Sequence, residues 1–203
     1  MAINLQKGQR IDLRKNNGSI LNNICVGVNW GAIETRNWLG MKKMEAVDLD
    51  TSCILYDSNK QPIDIVYFGK LSSVDGAIKH SGDDLTGDIG GDDGLDNEIL
   101  TLDFSRLNSN VEYIAFVLNS FRGHNFGSIP FASIRIYEGT PTRVNEILAT
   151  FNIAKEVGFE RYTSMVMGRF YKKNGEWKFN AIGEPTTDSK LEQTIVTVQQ
   201  KYL

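Results

Sequence analysis

Between Asp75 and Glu98 the chain packs seven aspartates, at positions 75, 83, 84, 88, 92, 93 and 96, with one glutamate and a single lysine. That is a net charge of −7 in 24 residues of a 203-residue chain whose formal total is −3, so a mildly basic body carries one concentrated acidic segment. Six of the 19 glycines fall in the same window. Carboxylates at this density repel one another, and a loop that gathers them needs a counter-charge. Calcium is a natural one, because it takes about six to eight oxygen ligands at roughly 2.3–2.6 Å in a flexible geometry. The glycines let the loop wind tightly enough to aim several carboxylates at one point. The candidate ligands are Asp75, Asp83, Asp84, Asp88, Asp92, Asp93, Asp96 and Glu98, with neutral oxygens from Thr86 and Asn97, enough for one or two Ca2+ ions. Asp48 and Asp50 flank Leu49 and share one strand face, so they join the list if that strand end meets the loop. The competing reading of the segment is a solvated acidic surface loop.

With 41% hydrophobic and 23% charged residues the composition is that of a soluble globular protein. There is no run of about 18 apolar residues to form a membrane-spanning helix. The opening residues hold no apolar stretch of signal-peptide length, which places the expectation in the cytoplasm. Cys25 and Cys53 sit in apolar, β-branched stretches and read as buried small hydrophobes rather than a disulfide or zinc site. Asn17-Gly18-Ser19 reads as a turn.

Outside the acidic segment the pattern is one of short β-rich runs: 22–30, 46–56, 63–68, 99–104, 111–118, 131–137, 147–153, 164–171 and 176–182. In 111–118 both alternating faces are apolar, so that strand should be covered on both sides. Turn clusters such as Asp57-Ser58-Asn59-Lys60 and Lys173-Asn174-Gly175 separate the runs. About ten such strands predict an all-β, antiparallel sandwich of two sheets. Leu191, Ile195, Val198 and Tyr202 fall at helical spacing after Asp188, which can cap or support the first turn, so a C-terminal helix follows within 186–203. No linker divides the chain, and one domain is expected, with the sandwich over 1–185.

Known loop signatures do not fit. Placing Gly94 at the sixth position of an EF-hand loop puts Ile89 where an aspartate is required. HExxH, GxSxG and phosphate-binding glycine motifs are absent from the sequence, as is a basic stripe with interleaved aromatics of the nucleic-acid-binding kind. His80 beside Asp83 and Asp84 keeps a metal-dependent phosphoester hydrolase in view, although a histidine among carboxylates is more often a hydrogen-bonding partner. Trp30, Trp38 and Trp177 read as core or rim packing, and 31–45 as either a contact patch or a segment folded back on the sandwich.

Lys7-Gly8-Gln9-Arg10, Asp48-Leu49-Asp50-Thr51-Ser52, Asp75-Gly76, the stretch from His80 to Asp88, Asn125-Phe126-Gly127 and Glu176-Trp177-Lys178-Phe179 occur in this order. In that order and spacing, from about residue 5 to 184, the chain resembles the TerD family of bacterial tellurium-resistance and stress proteins, nearest its TerZ-type branch. The segment Gly90 to Glu98 is about four residues longer than the family's usual one, and the tail from Leu191 departs from its pattern. The resemblance implies a two-sheet sandwich, calcium bound by the acidic segment and no established catalytic activity. It also implies a stress-response role with other stress and tellurium-resistance proteins as partners. Docking at the inner membrane face is the weaker alternative, since only Lys79 and Leu85 flank the loop.

Overall fold

The computed structural model describes residues 3–4, 8–13, 21–154 and 156–203; the Asn17-Gly18-Ser19 turn lies outside them. The strands, in chain order, are β1 Ile3–Asn4, β2 Arg10–Asp12, β3 Asn23–Trp30, β4 Ile33–Arg36, β5 Lys42–Glu45, β6 Leu49–Tyr56 and β7 Pro62–Val66. They continue with β8 Ile78–His80, β9 Glu98–Asp103, β10 Tyr113–Ser120, β11 Ala132–Thr140, β12 Arg143–Asn152, β13 Ser164–Lys173 and β14 Glu176–Thr186, followed by the helix α1 Leu191–Lys201. One six-stranded sheet has the order β1-β12-β11-β3-β9-β8 and the other β2-β14-β13-β10-β6-β7, while β4 and β5 pair only with each other. Pairing is antiparallel except for β1 beside β12.

The nine periodic runs all form strands, and the other five strands (β1, β2, β4, β5 and β8) are two to four residues long. Such lengths are too short for an alternation to stand out, so pairing partners rather than local pattern create them. Between the sheets lies the main core, with Trp30, Phe116, Phe126 and Phe170 fully buried. Phe170 is edge-on to both Phe104 and Phe116 at centroid distances of 5.3 Å. Cys25 and Cys53 are free and buried, as their surroundings predict.

The doubly apolar run is covered on both faces. Ile114, Phe116 and Leu118 enter the main core, and Ala115 and Val117 enter a second cluster under α1 with Ile54, Tyr56, Val166, Ile182 and Val198. The helical spacing is realised as read, since Leu191, Ile195, Val198 and Tyr202 all face that cluster. The expected cap is corrected. Asp188 Oδ1 accepts from Thr197 Oγ1 at 3.0 Å, two turns into the helix, and no side chain caps Lys190. Instead Gln193 reaches back to accept from the Ser189 amide at 2.8 Å and hydroxyl at 3.1 Å, which shields the helix start in Asp188's place.

One glycine makes room for a charge. Gly27 on β3 lies opposite Arg135 on β11, and a Cβ at Gly27 would sit 2.0 Å from Asp96 Oδ2. The bare backbone lets the buried Asp96 carboxylate lie on the sheet, 2.7 Å from Arg135 Nε. Gly27→Ala is expected to push Asp96 off this partner and cost about 2–4 kcal/mol, read by urea denaturation, because a buried carboxylate separated from its cation keeps its full desolvation penalty.

Candidate metal centre

Sheet order creates the site. β7 ends at Val66, paired with Cys53, so Leu49 to Ser52 of β6 have no strand neighbour on that side. Two side chains from the opposite sheet take its place. Glu98, at the start of β9 and fully buried, accepts the Thr51 amide at 2.7 Å. His80, at the end of β8, places Nε2 3.0 Å from the Thr51 carbonyl and 3.4 Å from Glu98 Oε2. The Gly82 amide donates to His80 Nδ1 at 3.1 Å, so the network assigns the proton to Nε2, where it is given to Thr51. Burial, the largest influence, lowers the His80 pKa, but the bond and charge of Glu98 and the Thr51 carbonyl outweigh it and leave it raised. Both ring nitrogens are engaged in joining the sheets, which leaves neither as a free base for hydrolysis.

This stitch holds the acidic segment over the unpaired end of β6. Asp48, Asp50 and Asp83 come together, with one carboxylate oxygen from each within 4.8 Å of the others. Asp48 and Asp50 are buried and Asp83 is exposed. Asp48 Oδ2 is 3.5 Å from Arg122 Nε, while its Oδ1 is buried with no hydrogen-bond partner among the described residues. Burial, then the charge of Asp83, raises the Asp48 pKa against the pull of Arg122. Burial and the charges of Asp48, Glu98 and Asp83 push Asp50 up to about 7. These three carboxyls are held close together at a cost, the condition that a cation relieves.

The other acids are satisfied largely by the protein. Asp84 Oδ1 accepts from the amides of Thr86 and Gly87 and from the Thr86 hydroxyl, at 2.9–3.0 Å. Burial works against it, yet these bonds and the Asn97 amide hold its pKa below the ordinary value. Asn97 Nδ2 lies 3.1 Å from both Asp84 Oδ2 and Asp88 Oδ1, tying the two together. Asn97 Oδ1 in turn accepts the Trp30 amide at 2.8 Å, and Trp30 Nε1 donates to the Val47 carbonyl, so the buried tryptophan anchors the loop to the sandwich. Gly87, at φ +63°, lies against the Trp30 ring where any Cβ would collide. Asp92 Oδ1 accepts from Asn29 Nδ2 at 3.0 Å and the Gly94 amide at 2.8 Å, and Asp93 Oδ1 from the Leu95 amide.

Two predicted residues are placed away from the carboxyl group. Asp75 sits in its own turn, accepting from Ser73 Oγ and the amides of Ala77 and Asn108, and its pKa stays low despite burial. Asp96 is paired with Arg135, though burial still raises its pKa. Arg122, too weak a partner to offset the charges around Asp48, and Arg135, paired with Asp96, had no local signal, because each lies far from its acid in sequence. His124, read as a loop residue, places Nε2 3.0 Å from Glu45 Oε1 at the base of the β4–β5 ribbon.

The centre therefore has hard oxygen donors only, one of them an orphaned buried carboxylate oxygen, and the donor set fits a hard divalent cation. A two-sheet sandwich whose end is closed by an acidic, glycine-rich loop defines the class of protein. The TerD domain profile matches residues 1–197, and the chain belongs to the TerD family. It is 36% identical over 183 residues to tellurium resistance protein TerZ of Serratia marcescens, covering 89% of each chain. It is 33% identical over 205 residues to stress response protein SCP2 of Bacillus subtilis, covering 96% of this chain and 98% of that one. A crystal structure of a homologue of telluride resistance protein TerD from Streptomyces coelicolor superposes with a TM-score of 0.67 at 21% identity, covering 86% of this chain and 95% of that one. These relatives are named for resistance and stress response, and none of the three names denotes an enzyme. No helix among the described residues is long and apolar enough to cross a membrane.

Proposed function

We propose that the protein is a calcium-binding, non-enzymatic stress-response protein of the tellurium-resistance type, in which the ion orders the acidic loop and so shapes a surface for partners. The observation that carries this reading is the Asp48, Asp50 and Asp83 group with its unpartnered Asp48 oxygen. Asp48, Asp50 and Asp83 would hold a first ion. Asp84, Asp88 and the Asn97 side chain, already convergent, would adjust to hold a second. Asp92 and Asp93, bonded to neighbouring amides, would support the loop rather than coordinate. Calcium bound here supplies positive charge that neutralises the carboxyls, and the chain's own residues supply the rest: Glu98 and His80 fix the strand end that presents Asp48 and Asp50. Other stress and tellurium-resistance proteins are the partner class, and the cytoplasm the expected location. Having both His80 nitrogens engaged counts against the hydrolase reading.

Titration calorimetry with calcium is expected to show binding, with thermal stabilisation that grows with ligand excess, reaching about 2.7 kcal/mol at a hundredfold excess over Kd. Asp48→Asn with Asp50→Asn should abolish the tighter phase. Absence of both heat and stabilisation at millimolar calcium would overturn the reading.

A further inference from the structure

The β4–β5 ribbon leaves the sandwich at the end where the acidic loop sits. At its root the Ala32 amide donates to the Asp88 carbonyl and the Val47 amide to the Thr86 carbonyl, at 3.1 Å each. Beyond that root the ribbon pairs only with itself, in the register Ile33 to Glu45 through Arg36 to Lys42. Its tip is a preformed turn, with Asn37 Oδ1 accepting the amides of Leu39 and Met41 at 3.0 and 2.9 Å. On that turn Trp38 is 90% exposed, Leu39 59% and Met41 57%. Of the two alternatives for 31–45, only Gly31 to Ile33 pack on the sandwich; the rest stands out as an exposed patch, and Trp38 is neither core nor rim packing. An isolated two-stranded ribbon is marginal in water, and a tryptophan held outward at its tip is positioned for an environment other than bulk water.

The charges say which environment. Immediately behind the apolar tip stand Arg36, Lys42 and Lys43. Of these Lys42 is paired with Glu34 at 2.9 Å, and the ribbon's other acid, Glu45, has Oε1 3.0 Å from His124 Nε2. At the root the acidic loop adds the exposed Leu85 and Ile89. The ribbon spans only residues 33–45, fewer than the roughly 20–30 residues that a stable protein interface uses on each side. Insertion of a tryptophan and two aliphatic side chains about 5–10 Å into a headgroup layer, with cations at the phosphates, needs no such number. We propose that the β4–β5 ribbon is a docking finger for an anionic lipid surface, presented when the acidic loop at its root carries its cation. The inference rests on the ion-binding reading, since a cation-free loop of carboxylates beside the finger would repel anionic headgroups.

The test uses the full chain with vesicles of phosphatidylcholine alone or mixed with phosphatidylglycerol, in calcium or in EDTA. The protein is expected to sediment with the phosphatidylglycerol vesicles in calcium only, with a blue shift of Trp38 emission and quenching by brominated lipid; Trp30 is fully buried and should not respond. Trp38→Ala, and Arg36→Glu with Lys43→Glu, should each weaken vesicle binding about tenfold or more while leaving the heat of calcium binding unchanged. Equal sedimentation of the variants and the parent overturns the proposal, as does equal binding to phosphatidylcholine alone. Heat of calcium binding without any vesicle binding overturns the docking and leaves the ion site standing, with a protein as the occupant of the tip. Absence of that heat overturns the ion reading itself.

Discussion

Glu98→Ala is expected to be the most destabilising single change in the acidic segment, at about 3–5 kcal/mol, because it strands buried polar groups and opens a cavity at once. Glu98 is fully buried and performs three tasks from one side chain. It accepts the Thr51 amide at 2.7 Å, approaches His80 Nε2 at 3.4 Å, and receives the Asp84 amide at 3.4 Å. With alanine there, the Thr51 amide points into a dry gap where β7 has already ended, and a buried donor left unmet costs about 1–3 kcal/mol alone. Lost packing of the methylene groups adds to that. Glu98→Gln keeps an acceptor for Thr51 and is expected to cost clearly less. The readout is the urea midpoint of each variant with its m-value, measured in EDTA so that ion binding plays no part. A cost below about 1 kcal/mol for alanine would mean that the sheets are joined elsewhere.

The same residue shows what was legible in the sequence and what was not. Glu98 stood out as an acid at the end of a glycine-rich run, which invites a ligand role. Its position as the first residue of β9, opposite Val28, turns its side chain inward to Thr51. Strand alternation could place the apolar residues of 99–104, but not which sheet would lack a strand at its far end, because that depends on where β7 stops. The fold itself was readable because nine runs of β-branched and aromatic residues were long enough to alternate, and because the last turns of the chain repeat at helical spacing. Asp48 and Asp50 were readable as a pair on one strand face. Their meeting with Asp83 is a product of the Glu98 and His80 stitch across the sheets. Charge counting alone treated all ten acids alike. The structure separates Asp75 and Asp96, each with its own partners, from the group whose mutual repulsion is unrelieved.

That unrelieved repulsion predicts a pH response that reverses with calcium. Burial and the neighbouring carboxylates hold Asp50 at about 7 in the folded chain. In the unfolded chain an aspartate titrates near 3.9, so between about pH 4 and 7 the folded state binds the extra proton. Stability is then highest at the acidic end of this window and falls as pH rises through it. Asp48, also raised, acts in the same direction within this window, and His80, raised from the ordinary histidine value, adds its loss only above about pH 6.5. Asp75 and Asp84, both lowered, contribute stability that is lost only on acidification below the window. In EDTA the protein is therefore expected to lose on the order of 2–4 kcal/mol between pH 5 and pH 8. This corresponds to a drop of about 5–10 °C in the thermal midpoint for a chain of this size. Calcium at the proposed site binds the deprotonated carboxyls, so protons and the ion compete, and its stabilisation should grow with pH until the loss seen in EDTA is cancelled or reversed. Asp50→Asn separates the two effects: in EDTA it should flatten most of the pH response and gain stability at pH 8, yet respond weakly to calcium. Parallel pH curves with and without calcium in the parent protein would remove Asp50 from the ion site, whereas a flat curve in EDTA would mean that the three carboxyls are not strained in the folded chain.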